Sequence, residues 1–381
     1  MTREEYQALM EDMIYLVFCA VNEIIPDKKR VESANLPILY KAAESHLLTA
    51  AVAFALDSAG IHDSAFIQAK AKAIRKIALM DADMAVIFAK MDKAGIWYMP
   101  LKGTVLKDYY PKFGMREMSD HDILFDASRA NEVKQIMIGM GYDAEHFGSG
   151  NHDCYYKEPV SNFEMHRSLF GIMHETKLHE YYNDVKTRLL PDEGSTCGYH
   201  FSPEDFYIYM IAHEYKHYSN GGTGLRSLLD TYVYLNKVTI DKDYVAAETE
   251  KLGIREFEEL NRSLSVHLFA DGMTLESLPE KERDMLSFVQ KSGTYGTLEH
   301  SIKNKMKKVV GKSGKVTAGM KMKYYLSRLF PRQEVLSSWY PPAKFKVLVP
   351  FVWLYRILVV AVVRRDKVRG EIRLVEKQKN I

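Results

Sequence analysis

The chain has 381 residues, of which 47% are hydrophobic and 27% are charged, and its formal net charge is +2. This composition excludes a largely disordered or collagen-like chain, and the length suffices for two or three domains with cores of their own. The three cysteines stand at wide, unpatterned spacing, which favours a reducing, cytoplasmic compartment over a disulfide framework.

The N-terminal region, residues 1–94, is predicted to be helical. Thr2 and Glu5 have the spacing of a capping box, so we expect the chain to open on a first helix and not on a signal peptide. Apolar residues then recur at intervals of three and four, and Gly60 and Gly95 mark helix ends. This pattern predicts helices packed on helices.

Residues 95–170 have a different pattern, which is typical of a small α/β unit. Short aromatic and β-branched runs such as IWYMP and DILF alternate with turn residues and predict strands. One helix is expected directly after IWYMP, and another after DILF, begun by Asp126 or Ser128 and ended by Gly141. Residues 171–300 return to helical periodicity and predict a helical domain.

The last region, residues 301–381, is basic: it carries 20 Lys or Arg against 4 Asp or Glu, a local balance of +16. Its apolar run from Val347 to Val363 has 17 residues and contains Pro350 and Arg356, whereas a helix that spans a bilayer needs about 20 apolar residues. Three interpretations stay open: a membrane span, attachment to anionic lipid at the inner face of the membrane, and a helix docked on the body of the protein, which we favour.

The segment AHEYKH contains the HExxH order of zinc peptidases. On a helix His213 and His217 share a face, where they could bind one metal ion while Glu214 activates a water molecule. The longer pattern HExxHxxGxxH would need Gly and His at the positions of Asn220 and Thr223. A zinc peptidase is therefore less favoured than the two functions that the rest of the sequence suggests below.

Asp120 and Asp122 stand two residues apart in MSDHDILF. Because side chains alternate along a strand, both carboxylates are expected on one face, where they can bind the same divalent cation or pair of cations. Upstream, Gly103 and Thr104 open a helix directly after a strand, as in turns that receive a phosphate. Downstream, a strand-like run can bring Glu164 beside the first two acids. This combination predicts two-metal transfer to a phosphorus centre.

The order of these segments resembles a bacterial family of uncharacterised nucleotidyltransferases within the DNA polymerase β-like nucleotidyltransferase superfamily. The resemblance runs over roughly residues 75–350 and rests on LKG, YYPKFGMREMSDHDILF, GY, FEMHRSLF and AHEYKHYSNGGTGLRSLLD. It implies an α+β fold, in which a small mixed-sheet nucleotidyltransferase core is flanked by N-terminal and C-terminal helical regions. It also implies that Asp120, Asp122 and Glu164 hold Mg²⁺ or Mn²⁺, and that Gly103 and Thr104 replace the usual Gly-Ser phosphate turn.

Two cations are assigned to the charge of the phosphates. Either Lys102 or Arg116 could neutralise a leaving pyrophosphate. A solvated Lys102 and an Arg116 paired with Glu117 or Asp108 are open alternatives.

The resemblance places AHEYKHYSNGGTGLRSLLD in a helical element beside the core, so that the histidines need no zinc. His213 and His217 are then expected at the edge of the active cleft. Arg226 and Asp230, four residues apart, are expected to form an ion pair on one helix that also touches substrate. His166 is compatible with a ligand of substrate and with a core histidine.

The implied function is metal-dependent transfer of a nucleoside monophosphate from a nucleoside triphosphate (NTP) to an acceptor, with release of pyrophosphate. RNA, a surface-polymer precursor, a peptide or protein, and a small molecule stay open as acceptors, and the basic C-terminal region suits nucleic acid or an anionic membrane. The alternative is a non-catalytic nucleotide- or partner-binding protein on the same scaffold. Three clustered, mutually repelling carboxylates argue against that alternative.

Overall fold

The computed structural model describes residues 2–145, 147–148, 150–171, 176–270, 272, 274, 276–294, 296, 298–310, 316–333, 336–337, 340–363 and 365–377. The helices are α1 Arg3–Val21, α2 Lys28–Ser33, α3 Leu36–Ser45, α4 Thr49–Ser58, α5 Ser64–Ala94, α6 Gly103–Leu106, α7 Ala130–Gly139, α8 Thr176–Tyr181, α9 Pro203–Asn220, α10 Leu225–Lys237, α11 Lys242–Leu252, α12 Arg255–Phe269, α13 Glu280–Ser292, α14 Leu298–Val310, α15 Ala318–Leu329, α16 Val349–Val363 and α17 Arg365–Lys377. The strands are β1 Tyr98–Leu101, β2 His121–Phe125, β3 Asp143–Glu145, β4 His152–Lys157, β5 Ser161–His166, β6 Leu190–Pro191 and β7 Tyr199–His200.

A five-stranded sheet of order β1-β2-β5-β4-β3 carries the residues of interest. Strands β2 and β5 run parallel and the other neighbours run antiparallel, so the sheet is mixed. Every residue of β2 is buried, as expected for a central strand covered on both faces. Together with the helices on either side in the sequence, this sheet confirms the predicted α+β class.

The two faces of the sheet have different partners. One face forms an apolar core with α5 and α7, in which Ile123, Phe163 and Met165 are fully buried. Because side chains alternate along a strand, the residues between them project to the other face. Asp122 and Glu164 therefore lie on the face opposite this core.

The helical regions before and after the sheet contribute to one main core. It includes Val17 of α1, Leu56 of α4, Tyr209 of α9, Leu229 of α10 and Leu268 of α12. The sequence boundaries near residues 94 and 170 mark changes of pattern, while the packing joins the first and third regions. The division into 1–94, 95–170, 171–300 and 301–381 stays a prediction.

The ends of several elements follow the local sequence signals. Thr2 and Glu5 form the capping box that starts α1, and Gly95 ends α5 in a left-handed conformation. The helix after β1 is only the single turn α6, continued by the 3₁₀ turn Lys107–Tyr109. Asp126 caps the 3₁₀ turn Ala127–Arg129, which leads into α7.

The C-terminal region has small cores of its own. Helices α14, α15 and α17 pack around Ile302, Met306, Tyr324 and Val375, and α16 packs through Val349 and Val352 on Leu336 and Ala343. None of the helices within the described ranges is long and apolar enough to cross a membrane.

Candidate active site

Asp122 and Glu164 lie side by side on neighbouring strands. Asp122 of β2 is in register with Glu164 of the parallel strand β5, so both side chains project to the same face. Asp120, two residues before Asp122, lines the same cleft. The structure thus brings the three acids of the sequence analysis to one cleft.

Asp122 is the most strongly paired of these acids. One oxygen, Oδ1, accepts a bond from Lys102 Nζ at 2.6 Å and lies 2.8 Å from His166 Nε2. Burial opposes ionisation of Asp122, but the charge of Lys102 and the bond to His166 outweigh it and hold the pKa far below the usual value. Asp122 is therefore ionised throughout the physiological pH range.

Glu164 stands between two histidines. Its Oε2 lies 3.5 Å from His166 Nε2 and 3.7 Å from His152 Nε2. Burial raises the pKa of Glu164, but the bond to His166 and the charges of His152 and Lys102 together outweigh burial and leave the pKa below its usual value. Glu164 is therefore also a carboxylate, close enough to Asp122 for the two charges to repel.

Asp120 shows the effect of this crowding. Burial, together with the negative charges of Asp122 and Glu164, raises the pKa of Asp120 to about 6. A divalent cation between the carboxylates of Asp122 and Glu164 would offset their charge, and carboxylates are the donors that Mg²⁺ and Mn²⁺ prefer. The residues present thus fit such an ion.

Two compact groups of metal-type side chains share Glu164. Asp122, Glu164 and His166 bring ligand atoms within 4.8 Å of one another, and so do His152, Cys154 and Glu164. Asp120 belongs to neither group among the residues that the structure describes. The first group has two carboxylates and suits a hard cation, whereas the sulfur and nitrogen of the second suit a softer one.

The turn between β1 and α6 carries Lys102 to Asp122. Lys102 has φ of 48°, in the left-handed region that residues with a side chain rarely adopt. Strain of this kind persists where the surrounding structure fixes it, often at functional sites. Here it accompanies the placement of the ammonium group on the Asp122 carboxylate.

The next two residues of this turn serve packing and orientation. At Gly103, an added Cβ would lie 2.2 Å from Nη1 of Arg116, so glycine is required for the close approach of the guanidinium. The hydroxyl of Thr104 accepts a bond from the backbone N–H of Asp122 at 3.1 Å. Thr104 thus fixes the backbone of β2 at Asp122, and it is buried and does not line the cleft, unlike the phosphate-binding residue expected from the sequence.

Arg116 and Asp230 form a buried ion pair across distant segments. Nε and Nη2 of Arg116 donate to the two oxygens of Asp230 at 2.8 Å each, and the Tyr110 hydroxyl donates to Oδ1 at 2.7 Å. This arrangement replaces the alternatives of Arg116 paired with Glu117 or Asp108. It also corrects the expected pair of Arg226 with Asp230, because the Asp230 carboxylate is taken by Arg116 and Tyr110.

Arg226 instead donates from Nη1 to the backbone oxygen of Glu117 at 2.9 Å. Among the described residues no carboxylate lies within ion-pair distance of Arg226, whereas Lys102 and Arg116 each have one. Burial and the neighbouring Arg116 lower the pKa of Arg226. Arg226 is thus a cleft cation whose charge is not already matched by an acid.

The HExxH segment on α9 is self-contained. Nε2 of His213 and Nε2 of His217 lie 3.1 Å apart, at hydrogen-bond distance, and Glu214 accepts a bond from Asn261 Nδ2 at 3.0 Å. Burial raises the pKa of Glu214 well above its usual value. In the described part of the chain neither histidine belongs to a three-ligand group.

These residues line one cleft with a volume of about 360 Å³. Its lining includes Lys102, Gly103, Arg116, Asp120, Asp122, Glu164, His166, His213, His217, Arg226 and Asp230, together with Ser119, Asn151, His152 and Lys216, which the sequence analysis did not single out. His152 and Cys154 alternate on β4, and Cys154 is in register with Glu164. The alternation of His152 and Cys154 is visible in the sequence, but it indicates a place in the cleft only once the pairing of β4 with β5 is known.

No curated protein and no solved structure matches the chain. The family model described as uncharacterised nucleotidyltransferase matches residues 32–270, which is more than half of the chain. The match begins and ends earlier than the roughly 75–350 of the sequence resemblance, and it contains every residue of the cleft discussed above. The chain belongs to this family of uncharacterised nucleotidyltransferases.

Proposed function

We propose that the protein transfers a nucleoside monophosphate from an NTP to an acceptor, in a reaction that depends on Mg²⁺ or Mn²⁺ and releases pyrophosphate. The observation that carries this proposal is the register of Asp122 with Glu164, beside Asp120, in a cleft that also contains Lys102 and Arg226. Phosphoryl transfer needs carboxylates that bind divalent cations and positively charged side chains that bind phosphate oxygens. Membership of the family supports the same reaction type.

Asp120, Asp122 and Glu164 would hold the divalent ions. When bound, such ions neutralise charge on the phosphates and lower the pKa of an attacking hydroxyl. The ionised state of Asp122 and Glu164 prepares them for this role, because a carboxylate must be deprotonated to bind a cation.

The remaining chemistry falls to the charged groups of the cleft. An acceptor oxygen forms a bond to the α-phosphorus, the bond from that phosphorus to the bridging oxygen breaks, and pyrophosphate leaves with the electron pair. Glu164, which is partly exposed to the cleft, would accept the proton of the acceptor hydroxyl. Lys102 and Arg226 would bind the phosphate oxygens, and the positive charge would stabilise the leaving pyrophosphate.

Arg116 has a more structural place in this proposal. Its guanidinium is bound to Asp230. Arg116 would therefore affect the phosphates mainly by shaping the wall of the cleft and by its electrostatic field, not by direct contact. His166 would orient Asp122 and Glu164, because its Nε2 lies within ion-pair distance of both carboxylates. His213 and His217 also line the cleft, and they would contact the bound substrate.

The acceptor classes compatible with a hydroxyl or phosphate nucleophile are RNA, a surface-polymer precursor, a peptide or protein, and a small molecule. A non-catalytic protein on the same scaffold is the second candidate. The raised pKa of Asp120 argues against it, because the crowding of three acids costs stability that a mere scaffold has no reason to retain.

Thermal unfolding tests the binding half of the proposal. We expect Mg²⁺ together with an NTP to raise the melting temperature of the unmodified protein, since a ligand that binds only the folded state stabilises it. The Asp122→Asn variant should lose this increase, while Asp143→Asn, which changes an exposed acid on β3, should retain it. Equal stabilisation of both variants would contradict the assignment of Asp122.

A further inference from the structure

Helix α16 exposes a stripe of large apolar side chains. Phe351, Leu354, Tyr355 and Leu358 are 68%, 59%, 58% and 58% exposed. Their spacing of three and four residues places them on one face of the helix. The opposite face is buried on the small C-terminal core described above, so the stripe is the outward face of a fixed helix.

Helix α15 and the residue after it expose a second group of large apolar side chains. Met322, Leu326, Leu329 and Phe330 are 58%, 48%, 41% and 44% exposed, again at helical spacing. The ring of Phe330 lies 5.4 Å from the ring of Trp353 on α16. The side of α16 opposite its exposed stripe therefore packs against the end of α15, where Arg356 also donates to the backbone oxygens of Arg328 and Leu329.

The segment before α16 continues this surface and adds positive charge to it. Phe345 and Val347 are 69% and 80% exposed, and they alternate with the exposed lysines Lys344 and Lys346. We call the α16 stripe and residues 345–348 the C-terminal apolar surface. Exposed apolar patches of such extent mark interaction sites in folded proteins.

The charge around this surface is mostly positive, although Glu371 and Glu376 of α17 pair with Arg328 and Lys321 of α15. Between residues 300 and 365 the sequence contains 15 Lys or Arg and a single acid, Glu334. A second copy of the chain would bring like charges together across the interface. A nucleic acid would engage the cations but would leave the apolar side chains in water. An anionic lipid surface satisfies both features, because its headgroups attract the cations and its acyl region accepts the apolar side chains.

We propose that the C-terminal apolar surface binds the surface of an anionic lipid bilayer. Helix α16 has 15 residues, which corresponds to about 22 Å at 1.5 Å per residue, and the hydrocarbon core of a bilayer is about 30 Å thick. The helix thus lies along the interface, with Phe345, Val347, Phe351 and Leu354 entering the headgroup region. This inference is independent of the proposed transferase activity.

Sedimentation of the full chain with vesicles tests the proposal. We expect strong binding to vesicles of phosphatidylcholine with about one third phosphatidylglycerol, and weak binding to phosphatidylcholine alone, with a decline as salt rises. The double variant Phe351→Ser/Leu354→Ser should bind at least about tenfold more weakly, because it removes two large apolar groups from the contact. Lys344→Gln/Lys346→Gln should weaken binding at low salt more than at high salt.

The control variant Ile25→Ser/Ile67→Ser removes two exposed apolar groups from the N-terminal helical region and should bind as the unmodified protein does. All variants change exposed side chains, so their melting temperatures should match. Vesicle binding that is absent, or unchanged in Phe351→Ser/Leu354→Ser, would overturn the proposal. The proposal would also be overturned if light scattering showed that Phe351→Ser/Leu354→Ser converts a dimer to a monomer. It would likewise be overturned if Phe351→Ser/Leu354→Ser no longer bound RNA but still bound vesicles.

Discussion

The start of β2 and the middle of α9 each present metal-type residues at a short spacing on one face, yet they differ in what surrounds them. At β2, Asp122 meets Glu164 from another strand and Lys102 from another turn. On α9, His213 and His217 bond to each other and need nothing further from the chain. A motif becomes a candidate site when the fold brings other chemistry to it.

The two regions also differ in charge. Asp122 and Glu164 are ionised and crowd Asp120, whose pKa rises to about 6. Burial lowers the pKa of His213 and raises that of Glu214, so on α9 burial favours the neutral form of both side chains. The β2 cluster is thus poised to bind cations, whereas the α9 histidines line the cleft without any charge of their own.

The largest effect is expected at the β2 cluster. Asp122→Asn removes the ionised carboxylate that two other groups orient, and we expect turnover to fall by at least about 10³-fold. The measurement is the initial rate of nucleotidyl transfer at saturating NTP and Mg²⁺. Asp143→Asn, on the exposed strand β3, is the matched control and should keep the full rate. A variant with more than a tenth of normal activity would remove Asp122 from the reaction.

The buried ion pair behind the cleft should govern stability. Asp230→Asn leaves the Arg116 guanidinium buried without a carboxylate, which costs about 3–5 kcal/mol in comparable pairs. Urea unfolding of the metal-free protein measures this loss. The control Glu259→Gln breaks the exposed pair with Arg255 and should cost only about 0.3–0.5 kcal/mol. Losses of equal size would show that Arg116 and Asp230 are not a buried unit.

The crowding of acids should be visible in the pH dependence of stability. The folded protein holds the Asp120 proton up to about pH 6, whereas an unfolded aspartate releases it near its ordinary pKa of 3.8. Folding therefore becomes less favourable as pH rises between these values, and the loss is complete above pH 6. Asp120→Asn should stabilise the metal-free protein by about 1–3 kcal/mol at pH 7.5 and by almost nothing at pH 3.5.

Urea unfolding at the two pH values measures this difference, with Asp143→Asn as the control that should change neither. A destabilised Asp120→Asn variant at pH 7.5 would mean that attraction to the nearby cations dominates over repulsion from Asp122 and Glu164.

The smallest effect is expected at the HExxH glutamate. Since burial favours the neutral form of Glu214 and its carboxyl group accepts a bond from Asn261, Glu214→Gln keeps the shape and the acceptor, and stability should change by less than about 1 kcal/mol. Metal analysis of the unmodified protein should find no stoichiometric zinc. Bound zinc that disappears in Glu214→Gln, His213→Ala or His217→Ala would revive the peptidase interpretation.

The sequence carried much of the fold because local periodicity determines it. Helical spacing, the capping box at Thr2 and Glu5, and the DILF strand all depend on residues a few positions apart. The α+β class followed from the resemblance together with these patterns. The shared core of the first and third regions did not, because packing between helices distant in sequence leaves no local trace.

The site was likewise predictable only where it depends on residues that are close together in the sequence. Alternation placed Asp120 and Asp122 on one face, whereas the bond from Arg116 to Asp230 joins residues 114 positions apart. Spacing alone favoured Arg226 as the partner of Asp230, and only the approach of α10 to the turn before β2 reverses that choice. His152 entered the cleft through strand pairing that no local pattern specifies.

Nucleotidyl transfer itself tests the central claim most directly. The unmodified protein and Asp122→Asn are incubated with Mg²⁺ or Mn²⁺, each of four α-labelled NTPs, and a cell extract separated into RNA, protein, lipid and small molecules. We predict that label enters one fraction only with the unmodified protein, with matching release of pyrophosphate, which would also identify the acceptor class. Equal labelling by Asp122→Asn, or no labelling and no pyrophosphate in any fraction, would contradict the claim.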